Sequence, residues 1–270
     1  MQYSWPGGYC PPIPAWRSTA LLVINSQYGY RDPSWGDGAS NPDYEKNVSS
    51  LIAKFRSYSE TTPEDELPLI IHAQLKPIWV NSPLYPGKTG PYGPTASLES
   101  ANSSRSPSNE VIITCRGPNV FSNTPLESLL KKRNIRTLLV AGISTDHAVS
   151  TTVRSAYDLA MDGRWGGPGY IEDTFRWLHT DGAGVYGQKK HVFGGNQEVS
   201  QEDLVDYAVD MARIILIGDG TRCFGKGGVD ADMVHRVHVE SLNAFAEVIN
   251  TATVLRQLYQ DERWKKWTFS

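Results

Sequence analysis

One junction limits what this chain can fold into: Thr137–Ala141, an apolar run, passes through a short polar turn into a helix-patterned segment. In that segment Val149, Val153, Ala156 and Ala160 fall on one helical face. A strand leading directly into an amphipathic helix is the repeating unit of α/β proteins with parallel strands. Residue 148 then lies in the first helical turn, where unpaired backbone N–H groups and the positive dipole end favour an anion. A cysteine there would carry a lowered pKa and serve as a nucleophile. The chain carries Ala148 instead.

Other segments repeat the alternation. Thr19–Ile24 is continuously apolar, which suits a strand buried on both faces. A helix is expected from Asp43 to Tyr58, with Val48, Leu51, Ile52 and Phe55 on its buried stripe. Leu69–Ile71 is a strand leading to His72, and a Pro-, Gly- and Ser-rich loop of about 35 residues follows, too long for a plain connection. Glu110–Thr114 and Arg136–Ala141 are further strands, with a helix from Pro125 to Lys132 between them and another over 146–161. Residues 163–210 lose periodicity and read as an insertion or lid, with Tyr170–Asp173 as a minor strand. Ala212–Gly218 is a buried strand; helix Asp230–Phe245, strand Ala246–Ile249 and helix Ala252–Tyr259 close the chain. The expected architecture is one domain over 1–270: a Rossmann-like three-layer α/β sandwich with a mostly parallel sheet.

Composition narrows the function. With 40% hydrophobic and 20% charged residues and a net charge of −3, the 270 residues describe a globular chain without the basic excess that nucleic acid requires. The basic run Lys131-Lys132-Arg133 sits at a helix end, where cations suit the dipole. No segment approaches the ~20 apolar residues of a membrane span. Met1–Pro14 lacks the charged and apolar regions of a secretory signal, so a cytoplasmic location is expected. Cys10, Cys115 and Cys223 are far apart and form no Cys-x-x-Cys pair, which argues for reduced thiols rather than a disulfide framework or zinc knuckle.

Several motifs in fixed order resemble the isochorismatase-like hydrolase superfamily. Ala20-Leu-Leu-Val-Ile-Asn25-Ser-Gln27 resembles its Leu-Leu-Val-Ile-Asp-x-Gln strand. Ser82-Pro-Leu-Tyr-Pro-Gly87 resembles a loop of some members, and Glu110–Cys115 followed by Asn119-Val-Phe121 and Thr124-Pro-Leu126 resembles the segment carrying the catalytic lysine. Gly142-Ile-Ser-Thr-Asp-His-Ala148-Val149 resembles Gly-Val-x-Thr-Asp-x-Cys-Val, and His235–Leu258 resembles the closing elements. The resemblance spans about 18–260 and implies an Asp–Lys–Cys triad, whose places hold Asn25, Cys115 and Ala148. A carboxamide has no useful basicity near pH 7 and a methyl group forms no thioester. The expectation is a non-hydrolytic enzyme (cyclisation, isomerisation or elimination) on a small aromatic or apolar metabolite. The alternative is an inactive relative serving as a binding or assembly subunit.

The expected catalytic positions are Asn25, Cys115 and His147. Cys115 is either a relocated nucleophile or a small buried apolar residue. His147 stands beside residue 148 as a candidate acid or base. Gln27, Tyr28, Trp79, Phe121, Ser144 and Ala148 are the expected binding positions, with the N–H groups of 144–148 available to an oxyanion. Asp146 reads as a capping carboxylate. No metal or other cofactor is expected: His72 lacks the neighbouring Asp-x-His, and His235 and His238, three apart, have no ligand cluster around them and read as surface or capping residues. The expected partner is a small-molecule substrate, with no nucleic acid and no membrane; the resemblance implies a homo-oligomer. A different Cys–Asp–Lys trio converging in the crevice would overturn the argument against hydrolysis.

Overall fold

The strands are β1 (Thr19–Ile24), β2 (Asp37–Ala39), β3 (Leu69–Leu75), β4 (Glu110–Cys115), β5 (Thr137–Ile143), β6 (Arg213–Arg222), β7 (Phe224–Gly225) and β8 (Glu247–Ile249). The helices are α1 (Tyr44–Ser57), α2 (Leu126–Lys132), α3 (Ser150–Met161), α4 (Ala231–Leu242) and α5 (251–258). This computed structural model describes residues 13, 18–58, 63, 66–87, 109–169 and 212–258. Six strands form one parallel sheet in the order β4-β3-β1-β5-β6-β8, and β2 pairs antiparallel with β7 as a separate ribbon.

Every residue of β1 is buried, as its unbroken apolar run demands. Its alternating side chains divide between two cores. Ala20, Leu22 and Ile24 pack with Leu126 and Leu130 of α2, Val153 and Ala156 of α3, and Leu242 of α4. Leu21 and Val23 pack with Tyr44, Val48, Leu51 and Phe55 of α1, and with Val254 and Leu258 of α5. The helices therefore cover both faces, giving the expected three layers.

Of the boundaries that differ from the sequence expectation, three bear on the strand ends and the turn. β3 runs on to Leu75, so His72 lies inside the strand, its side chain 2.7 Å from Glu110 of neighbouring β4. β6 runs on to Arg222, because pairing with β5 resumes at Gly142 and Ile143 after a register shift. The helix expected from 146 opens as a π-helical turn, Thr145–Val149, in which the Ser144 carbonyl accepts from both His147 N–H (3.0 Å) and Val149 N–H (3.1 Å). Of the expected insertion only 163–169 is described; there Trp165 is buried and donates to the Ala156 carbonyl at 3.1 Å. The remainder, including the expected strand Tyr170–Asp173, lies outside the described residues. Among the described residues no helix is long and apolar enough to cross a membrane.

Candidate small-molecule site at the strand ends

From β1 the chain order runs outward through β3 and β4 on one side and through β5, β6 and β8 on the other. Ligands of such sheets bind at the carboxyl ends of the strands where the order reverses, here between β1 and β5. Gly142 lets β5 pass close against β1 at this point: a Cβ there would stand 2.1 Å from the Ile24 carbonyl oxygen and 2.6 Å from the Ile24 nitrogen. The Ile143–Ser144 peptide that follows is cis.

Asn25 closes β1 with φ 51°, a left-handed conformation that asparagine tolerates. Its N–H donates to the Ala73 carbonyl at 2.8 Å, and its side-chain amide donates to the hydroxyl of buried Tyr30. The residue is 2% exposed, and Asn25 Oδ1 has no partner. Gln27 differs. Its Nε2 donates to the Leu75 carbonyl (3.1 Å) and its Oε1 accepts from Leu75 N–H (2.8 Å), so this buried amide splices the chain to the end of β3. That contact accounts for both of its polar atoms.

On the β5 side, the Ser144 hydroxyl donates to Asp146 Oδ1, and Lys226 Nζ forms an ion pair with Asp146 Oδ2. Burial alone would raise the Asp146 carboxyl; the bonds from Lys226, Ser144 and its own backbone N–H outweigh that and hold it below its ordinary value. The charge reaches the Tyr30 hydroxyl, which burial pushes above the usual phenol range. The Tyr30 ring stacks on Trp35 (4.6 Å between centroids) and Phe224 (6.4 Å). Next to this corner Thr145 Oγ1 meets His235 Nδ1 at 2.9 Å, while His235 Nε2 faces Asn41 Nδ2 at 3.2 Å. Burial lowers the His235 pKa, so the ring is neutral near pH 7.

The structure separates the remaining expected residues. Ala148 is buried at the turn, in the same core cluster as Cys115. The Cys115 thiol is buried and pushed up to about 11 by desolvation, which is the chemistry of a packing residue rather than a nucleophile. His147 is exposed, because its position on the turn directs it away from the buried side that holds Thr145 and Ala148. It does not join Asn25. Two of the expected oxyanion donors are already engaged: His147 N–H on the Ser144 carbonyl and Asp146 N–H on its own carboxylate. Tyr28 carries the Arg31 guanidinium 4.8 Å above its ring, and Phe121 packs against the core. Trp79 is 72% exposed, between Ile78 and Val80.

Asp146 is more than a capping group, and His235 is neither a surface residue nor a zinc ligand but a strut to Thr145. Lys226, Phe224 and Asn41 were missed by sequence reasoning. The one signal for Lys226 was Gly225-Lys-Gly-Gly228, a turn able to carry an exposed side chain over the crevice. Another cysteine, Cys223, lies within electrostatic reach of Asp146 and Lys226. That thiol is fully buried, donates to the Ala231 carbonyl at 3.2 Å, and is raised to about 11 by burial; it presents no thiolate to a substrate. Among the described residues no group of three or more His, Cys, Asp or Glu side chains is placed to hold a metal ion.

Comparison with known proteins places this geometry. The family model of the isochorismatase domain matches residues 19–162. An uncharacterized isochorismatase family protein of Bacillus subtilis, YrdC, is 31% identical over 143 residues, which cover 53% of this chain and 68% of that protein. Among solved structures, an isochorismatase-family protein from Chromobacterium violaceum superposes with a TM-score of 0.63 at 22% identity, over 93% of this chain and all (100%) of that one. An isochorismatase from Pseudomonas putida gives 0.56 at 21% identity, over 92% of this chain and 95% of that one. At these identities the two structures speak for the fold.

Proposed function

The chain belongs to the isochorismatase family, and we propose that it acts on a small aromatic or apolar metabolite by non-hydrolytic chemistry such as cyclisation, isomerisation or elimination. The carrying observation is Asn25 Oδ1, a buried acceptor left open at the strand-order reversal. Buried polar groups are almost always bonded, and the exceptions gather where a ligand completes the set. At the positions where the resemblance implies a triad, Ala148 offers a methyl group, Cys115 a protonated thiol facing the core, and Asn25 no basicity. Chemistry through an acyl-thiol has no starting group in this arrangement. Shape, Asn25 and the polar pair Ser144–Asp146 remain to orient a substrate and move its protons.

The test incubates the protein with a cell-extract metabolite pool and with a panel of simple amides. Expected are turnover of a metabolite, loss of that turnover in Asn25→Leu, no ammonia from the amides, and no covalent adduct by intact mass. Ammonia release at enzymatic rates, or a thioester on any cysteine, refutes the reading. The exposed run Ile78-Trp79-Val80 (63%, 72% and 59%) favours the second reading, a binding or assembly subunit in a homo-oligomer. Under that reading Trp79→Ser disrupts the assembly while the metabolite pool stays unchanged.

A further inference from the structure

Val229 (46% exposed), Met233 (39%) and Val237 (57%) recur every four residues along α4 and the turn that leads into it. Residues four apart share one face of a helix, and the outer face of a surface helix is ordinarily polar. α4 already buries its inner side: Ala231 and Leu242 are core residues, and His235 reaches in to Thr145. The exposed row is therefore a second apolar face on the same helix.

Exposed charged residues run beside that row at the same spacing: Asp232, Arg236 and Glu240, in the order minus, plus, minus. Arg236 Nη2 lies 3.3 Å from Met233 Sδ, so the charged row borders the apolar one directly. Among the described residues neither Asp232 nor Arg236 is in an ion pair.

The two rows are complementary to themselves in one orientation only. In a parallel pair of α4 helices, the twofold axis runs along the helices and sends the charged rows to opposite edges of the contact, where no pairs form. In an antiparallel pair the axis crosses the helices near residues 233 and 234, and the charged rows share an edge. Asp232 then stands opposite the partner's Arg236, and Arg236 opposite the partner's Asp232. Val229 faces the partner's Val237 on either side of a central Met233.

We infer that the outer face of α4 is an antiparallel contact between two copies of this chain, held by the Val229–Met233–Val237 row and two reciprocal Asp232–Arg236 pairs. The 12 residues of α4 give a strip about 18 Å long. Such a strip falls short of the roughly 800 Å² per partner of a standard interface, so the contact is of the transient, micromolar class. Because His235 holds the Thr145 turn from the inner side of α4, the contact braces that corner of the strand ends.

Sedimentation of the full chain at about 100 µM reads the assembly. Asp232→Arg and Arg236→Glu each turn both pairs into repulsions, and each is expected to weaken association about tenfold or more, with thermal melts confirming the fold. The two single variants carry charged rows of opposite sign. Mixing them is expected to restore the association that neither shows alone, and combining both substitutions in one chain restores it as well. Val237→Ser weakens association and is not rescued by mixing with either. A wild-type chain that stays unassociated at this concentration overturns the inference. Single variants that associate like the wild type, or that fail to recover on mixing, overturn it too. So does an assembly lost in Trp79→Ser while the charge variants leave it whole, since the contact would then lie beyond the end of β3.

Discussion

Two polar corners lie at the carboxyl ends of the same sheet, and they differ in whether the chain satisfies its own groups. At the end of β6, Arg222 donates to the carbonyls of Ser40 (3.1 Å), Asn41 (3.0 Å) and Pro42 (3.3 Å), with its guanidinium 4.9 Å above the Tyr44 ring. Asn41 Nδ2 donates to the carbonyls of Gly218 (3.0 Å) and Thr221 (2.5 Å). These donors meet acceptors within the protein, and the corner acts as a staple between the 40–42 loop and the sheet. At the end of β1, Asn25 is as deeply placed, yet its Oδ1 meets nothing. Burial of a polar side chain is therefore no mark of function by itself. The unmet bond is.

Substitutions sharpen that contrast, and the largest effects belong to groups satisfied within the chain. Glu110 accepts from Arg56 (2.7 and 2.9 Å) and bonds His72 (2.7 Å). Burial would raise its carboxyl; the bonds to His72 and Arg56 win and hold it at about 2. A depressed carboxyl contributes stability above its unfolded value and loses it as pH falls through the folded value. Denaturation by urea should thus show stability declining as pH drops from about 4.5 toward about 2. Glu110→Gln should lose that slope and cost about 3 kcal/mol at pH 7. A variant that retains the slope would remove Glu110 as its source. Arg222→Met comes next, at about 2–3 kcal/mol by the same measurement, because three carbonyl oxygens lose a charged donor. A cost under about 0.5 kcal/mol would show that water replaces the arginine freely, and the corner would not be a staple.

The frame of this molecule was legible because burial on both faces writes itself into sequence. β1 coincides with the apolar run Thr19–Ile24, and α1 with the stripe Val48, Leu51, Ile52 and Phe55. The extension of β3 through His72 was not legible, because a histidine in an apolar run looks like a strand end unless its partner is known. That partner, Glu110, is 38 residues away on the neighbouring strand. The site was legible in part. Ser144 and Ala148 follow from the strand–turn–helix pattern, which fixes position along the chain, whereas Asn25 follows from the family resemblance of the first strand. Lys226 and His235 reach the turn from 80 and 90 residues away, through the β2–β7 ribbon and α4, and no local period encodes such an approach. The sequence left the facing of His147 open for a geometric reason: adjacent residues on a helical turn diverge by about one hundred degrees, and with Ala148 buried His147 is exposed.

Asn25→Leu tests the other half of the contrast. The leucine removes an orphaned acceptor, but it must also adopt the left-handed backbone that asparagine tolerates and it gives up the bond to Tyr30, so a cost of about 1–2 kcal/mol is expected. Loss of about 3 kcal/mol would mean that Asn25 is a structural strut, and the two corners would then be alike.

The smallest effect is expected at Lys226. Its pair with Asp146 is half-exposed on the lysine side, and such pairs contribute about 0–1 kcal/mol. Lys226→Met should therefore leave the melting temperature nearly unchanged. It should nevertheless move the Asp146 carboxyl upward, since Lys226 is the leading influence holding it down against burial. Carboxyl-detected NMR titration of the variant reads that shift directly. The sign extends to stability: in the wild type the Asp146 contribution is complete above the ordinary carboxylate range and fades as pH falls below it, and in the variant that contribution is smaller and its loss is complete at a higher pH. An Asp146 titration identical in both proteins would mean that Lys226 does not rest on the carboxylate in solution. The open acceptor at Asn25 would then have no charged neighbour held in place by the ribbon, and the difference between the corners would reduce to one missing hydrogen bond.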